Sequence, residues 1–135
     1  MSTLESIPQT LGVDAPWMEL GGAYWLDYPD IKVRKVAAAM NAAGARFVTI
    51  TAYELPKGGG CRLEYHWDLS GRLLGFAFRV QDSIESIYDL CEAVDWIERE
   101  VHEGFGVRFL GREYEPLLLR AGDSVGVNMR EEVAK

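Results

Sequence analysis

The stretch that decides the fold is C-R-L-E-Y-H-W-D-L, residues 61–69. Its apolar and polar residues alternate with a period of two, which is the pattern of a β-strand with one buried face and one solvated face. The apolar members are Cys61, Leu63, Tyr65, Trp67 and Leu69, and the polar members are Arg62, Glu64, His66 and Asp68. The segment therefore predicts a strand that packs on a core with one side only.

A further strand is predicted on each side of this one. Residues 46–55 are rich in β-branched and aromatic residues, and the P-K-G-G-G segment at 56–60 can reverse the chain. Ser70-Gly71 is a two-residue hairpin signal, after which apolar residues again share one face. These residues are Leu74, Phe76, Phe78 and Val80. These three segments therefore predict an antiparallel meander, with one apolar face that helices must cover.

The residues before the meander predict one short strand and one helix. The strand is expected at 23–28, in a segment dense in aromatic residues. The helix is expected at 31–43, where Asp30 offers an N-cap oxygen and Gly44 occupies the C′ position. Its apolar side at helical spacing consists of Ile31, Val36, Met40 and Ala43.

A second helical region is expected to begin near Asp82, which can form a capping box with Glu85. The pattern leaves open whether this region is one long helix or two pieces bent near Glu92. Its apolar residues at helical spacing are Ile84, Ile87, Cys91, Val94, Ile97, Val101 and Phe105.

The expected fold class is α+β, an antiparallel meander of three to four strands with helices packed on one face. A chain of 135 residues with 48% apolar residues is the size of one domain, so residues 1–135 are predicted to form a single domain. Residues 121–135, ending in M-R-E-E-V-A-K, are expected to form a flexible solvated tail.

The charge and the absence of apolar runs restrict the partners. A formal charge of −7 repels phosphate backbones and anionic lipids, so no nucleic-acid partner is expected. No run of 18 uncharged apolar residues is present and the start has no signal-peptide pattern, so we expect a cytosolic protein without a membrane span of its own. Cys61 and Cys91 are expected to be small core residues in a reducing compartment.

The segment D-W-I-E-R-E-V-H-E-G-F-G, residues 95–106, predicts a helix with two different faces. At about 100° per residue, Ile97, Val101 and Phe105 fall within about 60° of Val94 and form the core stripe. Trp96 falls about 160° away from Val94, on the opposite side. The charged residues around it are Glu92, Arg99, Glu100 and Glu103.

Two explanations remain open for an indole in that position. Burial of a tryptophan is worth on the order of 2–3 kcal/mol, so an outward indole is usually covered. The cover can come from this chain, through the N-terminal aromatic residues or residues 114–120. It can also come from a partner protein, because an aromatic side chain ringed by charge is the usual composition of an interface hot spot.

The end of this helix adds a second indication of function. Glu100 and Glu103 are expected in the last turn, where the helix dipole disfavours a carboxylate by about 0.3–1 kcal/mol. Such breaches of a local rule are commoner at functional sites. Gly104 is expected to adopt the left-handed C′ conformation, Gly106 to allow close backbone approach, and Phe105 to turn back into the core.

A metal-dependent enzyme is the alternative from a different class. Asp95, Glu98 and His102 project from one side of the helix as a candidate metal or general-base site. Zinc would need a further strong ligand, which the sequence does not offer. A di-iron bundle would need Glu-x-x-His motifs on two helices, which are also missing. A solvated charged face is therefore the favoured interpretation. No G-x-S-x-G motif and no phosphate-binding glycine loop occurs, and no complete active site is predicted.

The segment W-x-E-R-E-V-x-x-x-F-G-V-x-F-x-G, from Trp96 to Gly111, resembles the signature of the thirty-kilodalton subunit of respiratory complex I, the NADH:quinone oxidoreductase. It is also similar to the matching subunits of energy-converting NiFe hydrogenases. The segments R-F-V-T-I-T-A-Y, L-E-Y-H-W-D-L and D-S-I-E-S-I-Y-D-L stand in the order of that family. The residues that match the motif are Trp96, Glu98, Arg99, Glu100, Phe105, Gly106 and Gly111.

This chain also departs from the family motif at two places. Glu103-Gly104 stands where Asp-Leu is usual, and Arg112-Glu113 stands where His-Pro is usual. A basic, proline-containing C-terminal extension is also not seen. These differences favour the short form of the subunit found in energy-converting hydrogenases.

The resemblance implies a small α+β scaffold subunit without a catalytic site or a cofactor. Its expected partners are the large subunit related to the NiFe-hydrogenase catalytic chain and the neighbouring subunits of the complex. Its expected location is cytoplasmic, peripheral to the inner face of the membrane through that complex. The matching residues are then expected to serve folding and docking. A free-standing protein-binding domain with the same fold remains a further alternative.

Overall fold

The computed structural model describes residues 6–8, 11–12, 17–27 and 32–113. The predicted tail at 121–135 lies outside these ranges. The described elements are β1 (Met18–Leu20), β2 (Ala23–Asp27), α1 (Val33–Ala43), β3 (Arg46–Glu54), β4 (Cys61–Leu69), β5 (Arg72–Val80), β6 (Ser83–Glu85), a 3-10 turn (Glu92–Val94), α2 (Asp95–Phe105) and β7 (Arg108–Leu110).

The central meander has the predicted form. Strand β4 has the predicted bounds, and its side chains alternate between buried and half-buried along its whole length. It pairs antiparallel with β3 on one side and with β5 on the other. Ser70 and Gly71 both have positive φ angles, 52° and 86°, as a tight hairpin between twisted strands requires. The alternating pattern therefore identified both the strand and its buried face.

The α+β class is confirmed, but the main sheet has five strands and is mixed, so the prediction of an antiparallel meander of three to four strands was wrong for the sheet as a whole. The strand order is β1-β2-β5-β4-β3, and β2 lies parallel to β5. The chain between β2 and β5 includes α1 and two strands, which is long enough to return the chain in a parallel direction. The apolar content of β2 indicates a strand but not the neighbour beside which it lies.

Helix α1 covers part of the apolar face. Its buried residues are Val33, Val36, Ala37 and Met40. The helix ends as predicted, because Gly44 adopts the left-handed conformation with φ 78°. Its first residue is Val33, preceded by Lys32, which makes no side-chain cap. The predicted cap, Asp30, lies outside the described residues.

The predicted helix beginning near Asp82 is wrong. Residues 83–85 form β6, which pairs in parallel with β7 and places Ile84 opposite Phe109. The predicted capping box at Asp82 and Glu85 therefore does not form. A turn follows at 86–91, and the helix begins only at Asp95, after the 3-10 turn. Ile84 and Ile87 have helical spacing, but they belong to a strand and a turn that face the same core.

The loop between β3 and β4 packs closely against the end of strand β5, and its glycines allow this contact to be tested. A Cβ built on Gly60 would lie 2.2 Å from the carbonyl oxygen of Val80, whereas one built on Gly58 meets nothing within 4 Å. Both glycines have positive φ, 80° and 70°. They therefore form a matched pair that separates backbone strain from collision.

We expect Gly60→Ala to lower the free energy of unfolding by roughly 2 kcal/mol or more beyond Gly58→Ala. Gly58→Ala carries only the strain of a left-handed alanine, on the order of 1–2 kcal/mol. Urea denaturation of both variants measures the difference. Equal losses would contradict the close contact between Gly60 and strand β5.

Candidate protein-docking site

Helix α2 has the two faces that the sequence predicts. Val94, Val101 and Phe105 are buried, and Ile97 is partly buried against the same core. Trp96 is 61% exposed on the other side. Trp96, in the first turn of α2, therefore contributes little to the core of its own chain.

Three of the four charged residues predicted around Trp96 lie near it, and the fourth, Glu103, is buried. Glu92 and Glu100 are exposed beside it, and the Arg99 guanidinium carbon lies 5.6 Å from the ring centroid, within cation–π range. Glu103 is instead only 7% exposed, so its place among the charges around the indole was predicted wrongly. It occupies the last turn of α2, while Glu100 lies one turn earlier.

The described N-terminal aromatic residues do not cover Trp96. The Trp17 ring packs edge-on against Tyr24 and Phe76, at 6.5 and 5.5 Å between centroids. Trp25 lies on the opposite face of the sheet, 5.3 Å from the His66 ring. The other predicted source of cover, residues 114–120, lies outside the described residues.

A solvated charged face was predicted for Asp95, Glu98 and His102, and this prediction is wrong for Glu98. Glu98 is fully buried, and its carboxylate accepts hydrogen bonds from the Ser86 hydroxyl at 2.7 Å and from the Ile87 amide at 3.0 Å. It also accepts one from the Arg112 guanidinium at 3.2 Å. Buried charges survive when they are paired and hydrogen-bonded, and Glu98 has both kinds of partner.

Arg112 connects this buried carboxylate to the surface of the helix. Its guanidinium donates to Asp95 as well as to Glu98, and it lies 4.8 Å above the Tyr88 ring centroid. Asp95 in turn pairs with Arg99 at 3.2 Å. Arg112 occupies one of the positions where the sequence departs from the motif that it resembles. Spacing along the chain gave no sign of Arg112 or Ser86, because both reach Glu98 only through the fold.

The metal alternative finds no support in this geometry. Arg112 takes oxygens of both Asp95 and Glu98, and the Nδ1 atom of His102 lies 2.8 Å from the Val107 carbonyl oxygen. Within the described ranges no group of three or more His, Cys, Asp or Glu side chains is arranged to hold a metal ion.

The turn before α2, residues 86–89, is hydrogen-bonded by side chains from both helices. Arg34 of helix α1 donates to the Ser86 carbonyl at 2.8 Å and forms a two-pronged pair with Asp89 at 2.7 and 2.8 Å. This pairing lowers the pKa of Asp89 and raises that of Arg34. Glu98 binds the same turn from the interior. Residues 86–89 are thus fixed between the two helices.

The left-handed cap at the end of α2 is formed by the second of its two glycines instead of the first. Gly106, with φ 76°, is the left-handed cap, and its amide donates to the His102 carbonyl. The prediction for Gly104 was wrong, because that residue is inside the helix. Phe105 is therefore the last helical residue, and it is buried as predicted. Gly111 also has a positive φ, 93°, where the chain leaves β7.

The motif residues therefore divide by location. Glu98 and Phe105 face the interior, and Gly106 and Gly111 occupy turn positions that favour glycine. Trp96 and Glu100 face outward, and Arg99 lies between the two groups. The structure thus separates residues that hold the fold from residues that present a surface.

The mixed five-stranded sheet and the helix that contains the motif define a small α+β fold. A family model described as respiratory-chain NADH dehydrogenase, 30 Kd subunit, matches residues 27–134. Because this match covers most of the sequence, the chain belongs to that family. No curated protein matches the sequence.

Two solved structures show the same fold. One is a chain in the structure of the membrane-bound sulfane sulfur reductase, an archaeal respiratory membrane complex, with 26% identity and a TM-score of 0.67. That match covers 81% of this chain and 71% of the other. The second is the trypsin-resistant fragment (1-134) of Nqo5, with 20% identity, a TM-score of 0.61, and coverage of 74% and 89%. The chain is thus of the complex I thirty-kilodalton type found in respiratory membrane complexes.

No helix among the described residues is both long enough and apolar enough to cross a membrane.

The buried carboxylate predicts a specific dependence of stability on pH. Burial raises the pKa of Glu98, against the opposing effects of Ser86, Ile87 and Arg112. Between the ordinary pKa of a glutamic acid and this raised value, the folded state binds more protons than the unfolded state. The stability contributed by this group therefore falls as pH rises through that interval and is constant above it.

We expect Glu98→Gln to remove this fall, so that the free energy of unfolding of the variant minus that of the wild type increases as pH rises from about 4 to 7. Glu19→Gln, which removes an exposed carboxyl group from β1, is the control. Urea titrations across this range measure the difference. A difference that is flat with pH, or that decreases, would contradict the raised pKa.

Proposed function

We propose that this protein is a non-catalytic scaffold subunit of a membrane-attached oxidoreductase complex, of the NADH:quinone oxidoreductase or energy-converting hydrogenase type. In this proposal it docks on the NiFe-hydrogenase-like large subunit through the outer face of α2. It is held on the cytoplasmic side of the membrane by the complex, with no membrane span of its own.

The observation that carries the proposal is the exposed indole of Trp96. Most of its surface faces solvent, although Glu98, Val101 and Phe105 of the same helix are buried. Covering that surface in a partner pocket would recover about 2 kcal/mol. Tryptophan is one of the residue types most enriched among interface hot spots.

Membership of the family supports the same proposal. The matched family is a subunit of the respiratory-chain NADH dehydrogenase, and one similar structure is an archaeal respiratory membrane complex. The NADH dehydrogenase and the archaeal complex both contain several subunits, and a small subunit of such a complex needs at least one surface that contacts its neighbours. The exposed part of the family motif on α2 is a surface of that kind.

The fold also explains how α2 can present a rigid surface. Glu98, Arg112 and Asp95 fix the inner side of the helix through hydrogen bonds and ion pairs. Arg99, held by Asp95, lies against the indole. An anchor that is already ordered loses less conformational entropy on binding than a mobile one. We therefore assign Glu98, Phe105, Gly106 and Gly111 to folding, and Trp96, Arg99 and Glu100 to docking.

We expect Trp96→Ala to weaken binding to the large subunit by roughly 30-fold or more, since a central aromatic anchor is worth about 2 kcal/mol or more. The unfolding midpoint should change little, because the side chain is mostly exposed. Leu20→Ala is the matched control, as it removes a side chain that is 67% exposed on strand β1. Biolayer interferometry with the purified large subunit measures both variants.

Binding of Trp96→Ala equal to that of the wild type would contradict docking through α2. Failure of the wild-type chain to bind or co-purify with a hydrogenase-like large subunit would contradict the scaffold proposal and favour a free-standing binding domain.

A further inference from the structure

Two carboxylates bracket the exposed indole on the outer side of α2. Glu92 precedes Trp96 by four residues and Glu100 follows it by four, and all three side chains are exposed. The 3-10 turn that contains Glu92 runs directly into the helix, so the three residues follow one another at intervals of four along one continuous helical segment. At a rise of about 1.5–2.0 Å per residue, the backbone positions of Glu92 and Glu100 are on the order of 12–14 Å apart along the axis. We call these three residues the acidic ridge.

The carboxylates of the ridge differ from the inner acids of the same helix in their pairing. Asp95 and Glu98 both contact guanidinium groups, through Arg99 and Arg112. Glu92 and Glu100 form no hydrogen bond or ion pair within the described part of the chain. The fold therefore neutralises the inner carboxylates and leaves the two outer ones uncompensated.

The cation nearest to the ridge does not change this balance. The Arg99 side chain is only 18% exposed and is engaged with Asp95 at 3.2 Å. It rests against the indole, with its guanidinium carbon 5.6 Å from the ring centroid. Arg99 therefore supports Trp96 from the side, while the charge that the ridge presents outward is negative.

We infer that the partner surface is basic: an apolar pocket for the indole, with a Lys or Arg on each side placed to meet Glu92 and Glu100. The inference rests on the proposed function, because it specifies the chemistry of the surface on which α2 docks. It follows from charge complementarity, since opposite charges at the rim of an interface fix its register and speed association. The net charge of −7 acts in the same direction over a longer range.

Other occupants fit the ridge less well. Phosphate groups of nucleic acid or lipid would be repelled by both carboxylates. A metal ion is a weaker candidate, because no group of three or more His, Cys, Asp or Glu side chains is arranged to hold one within the described ranges. A second copy of this chain would bring its own acidic ridge or its net negative charge. A basic protein surface satisfies both the indole and the carboxylates.

Site-specific cross-linking identifies the surface that meets the ridge. Ala93 is exposed three residues before Trp96, so a photoreactive benzoylphenylalanine at this position reports on contacts of the ridge without removing any of its members. The tagged full-length chain is cross-linked in cells, and the captured peptide is sequenced. The expected peptide, or its neighbours in the partner fold, carries Lys or Arg on both sides of an apolar pocket.

Charge reversal then tests the pairing directly. We expect Glu92→Lys together with Glu100→Lys to weaken binding to the captured partner about tenfold at low salt, with the loss shrinking as salt screens the charges. Glu19→Lys makes the same kind of change on an exposed acid of β1 and should stay within about twofold of the wild type. Reversal of the two partner cations to Glu should restore binding of the double variant.

The outcomes separate this inference from the proposed function. A basic contact surface with rescue by reciprocal reversal supports the inference, and the identity of the partner independently supports or contradicts docking on a hydrogenase-like large subunit. An uncharged or acidic contact surface, or a double reversal within about twofold of the wild type, overturns the inference even if the large subunit is captured. Capture of no partner overturns both.

Discussion

The buried carboxylate of Glu98 determines how this part of the molecule is arranged. Its two oxygens accept hydrogen bonds from the hydroxyl of Ser86, the amide of Ile87 and the guanidinium of Arg112. These three donors belong to the turn before α2 and to the segment after β7. A single side chain thus joins the ends of two segments that flank the helix. A buried charge without these partners would be strongly destabilising, so the helix can take its place only when the turn and Arg112 are also in place.

The acidic residues along α2 and the 3-10 turn before it differ in pairing and exposure. Asp95 shares Arg112 with Glu98 and holds Arg99, which in turn lies against Trp96. Asp95 and Glu98 are therefore paired within the chain, while Glu92, Trp96 and Glu100 are exposed. The family match and the similar respiratory structure concern proteins of multisubunit complexes, in which an exposed surface of this kind can contact a neighbouring subunit. Under the proposed function, folding and docking would depend on neighbouring residues on opposite sides of one helical segment.

The sequence predicted those features that depend on local periodicity. The alternation from Cys61 to Leu69 identified β4 and its buried face, and helical spacing placed Trp96 opposite the core stripe. The errors arose where two structures share a period or where a contact is distant in sequence. Ile84 and Ile87 fit a helix but belong to a strand and a turn. The burial of Glu98 could not be anticipated, because its partners stand 11 to 14 residues away. The parallel pairing of β2 with β5 likewise depends on the whole fold.

Docking through α2 requires that the outer face of this helix is uncovered in the free subunit and covered in its complex. Oxidative footprinting of Trp96 measures this directly, with the exposed Met18 of β1 as an internal reference in the same chain. We expect Trp96 to be oxidised readily in the isolated protein and about tenfold more slowly in the intact complex, relative to Met18. Equal oxidation of Trp96 in both states would contradict docking through α2, because it would leave the indole without a partner.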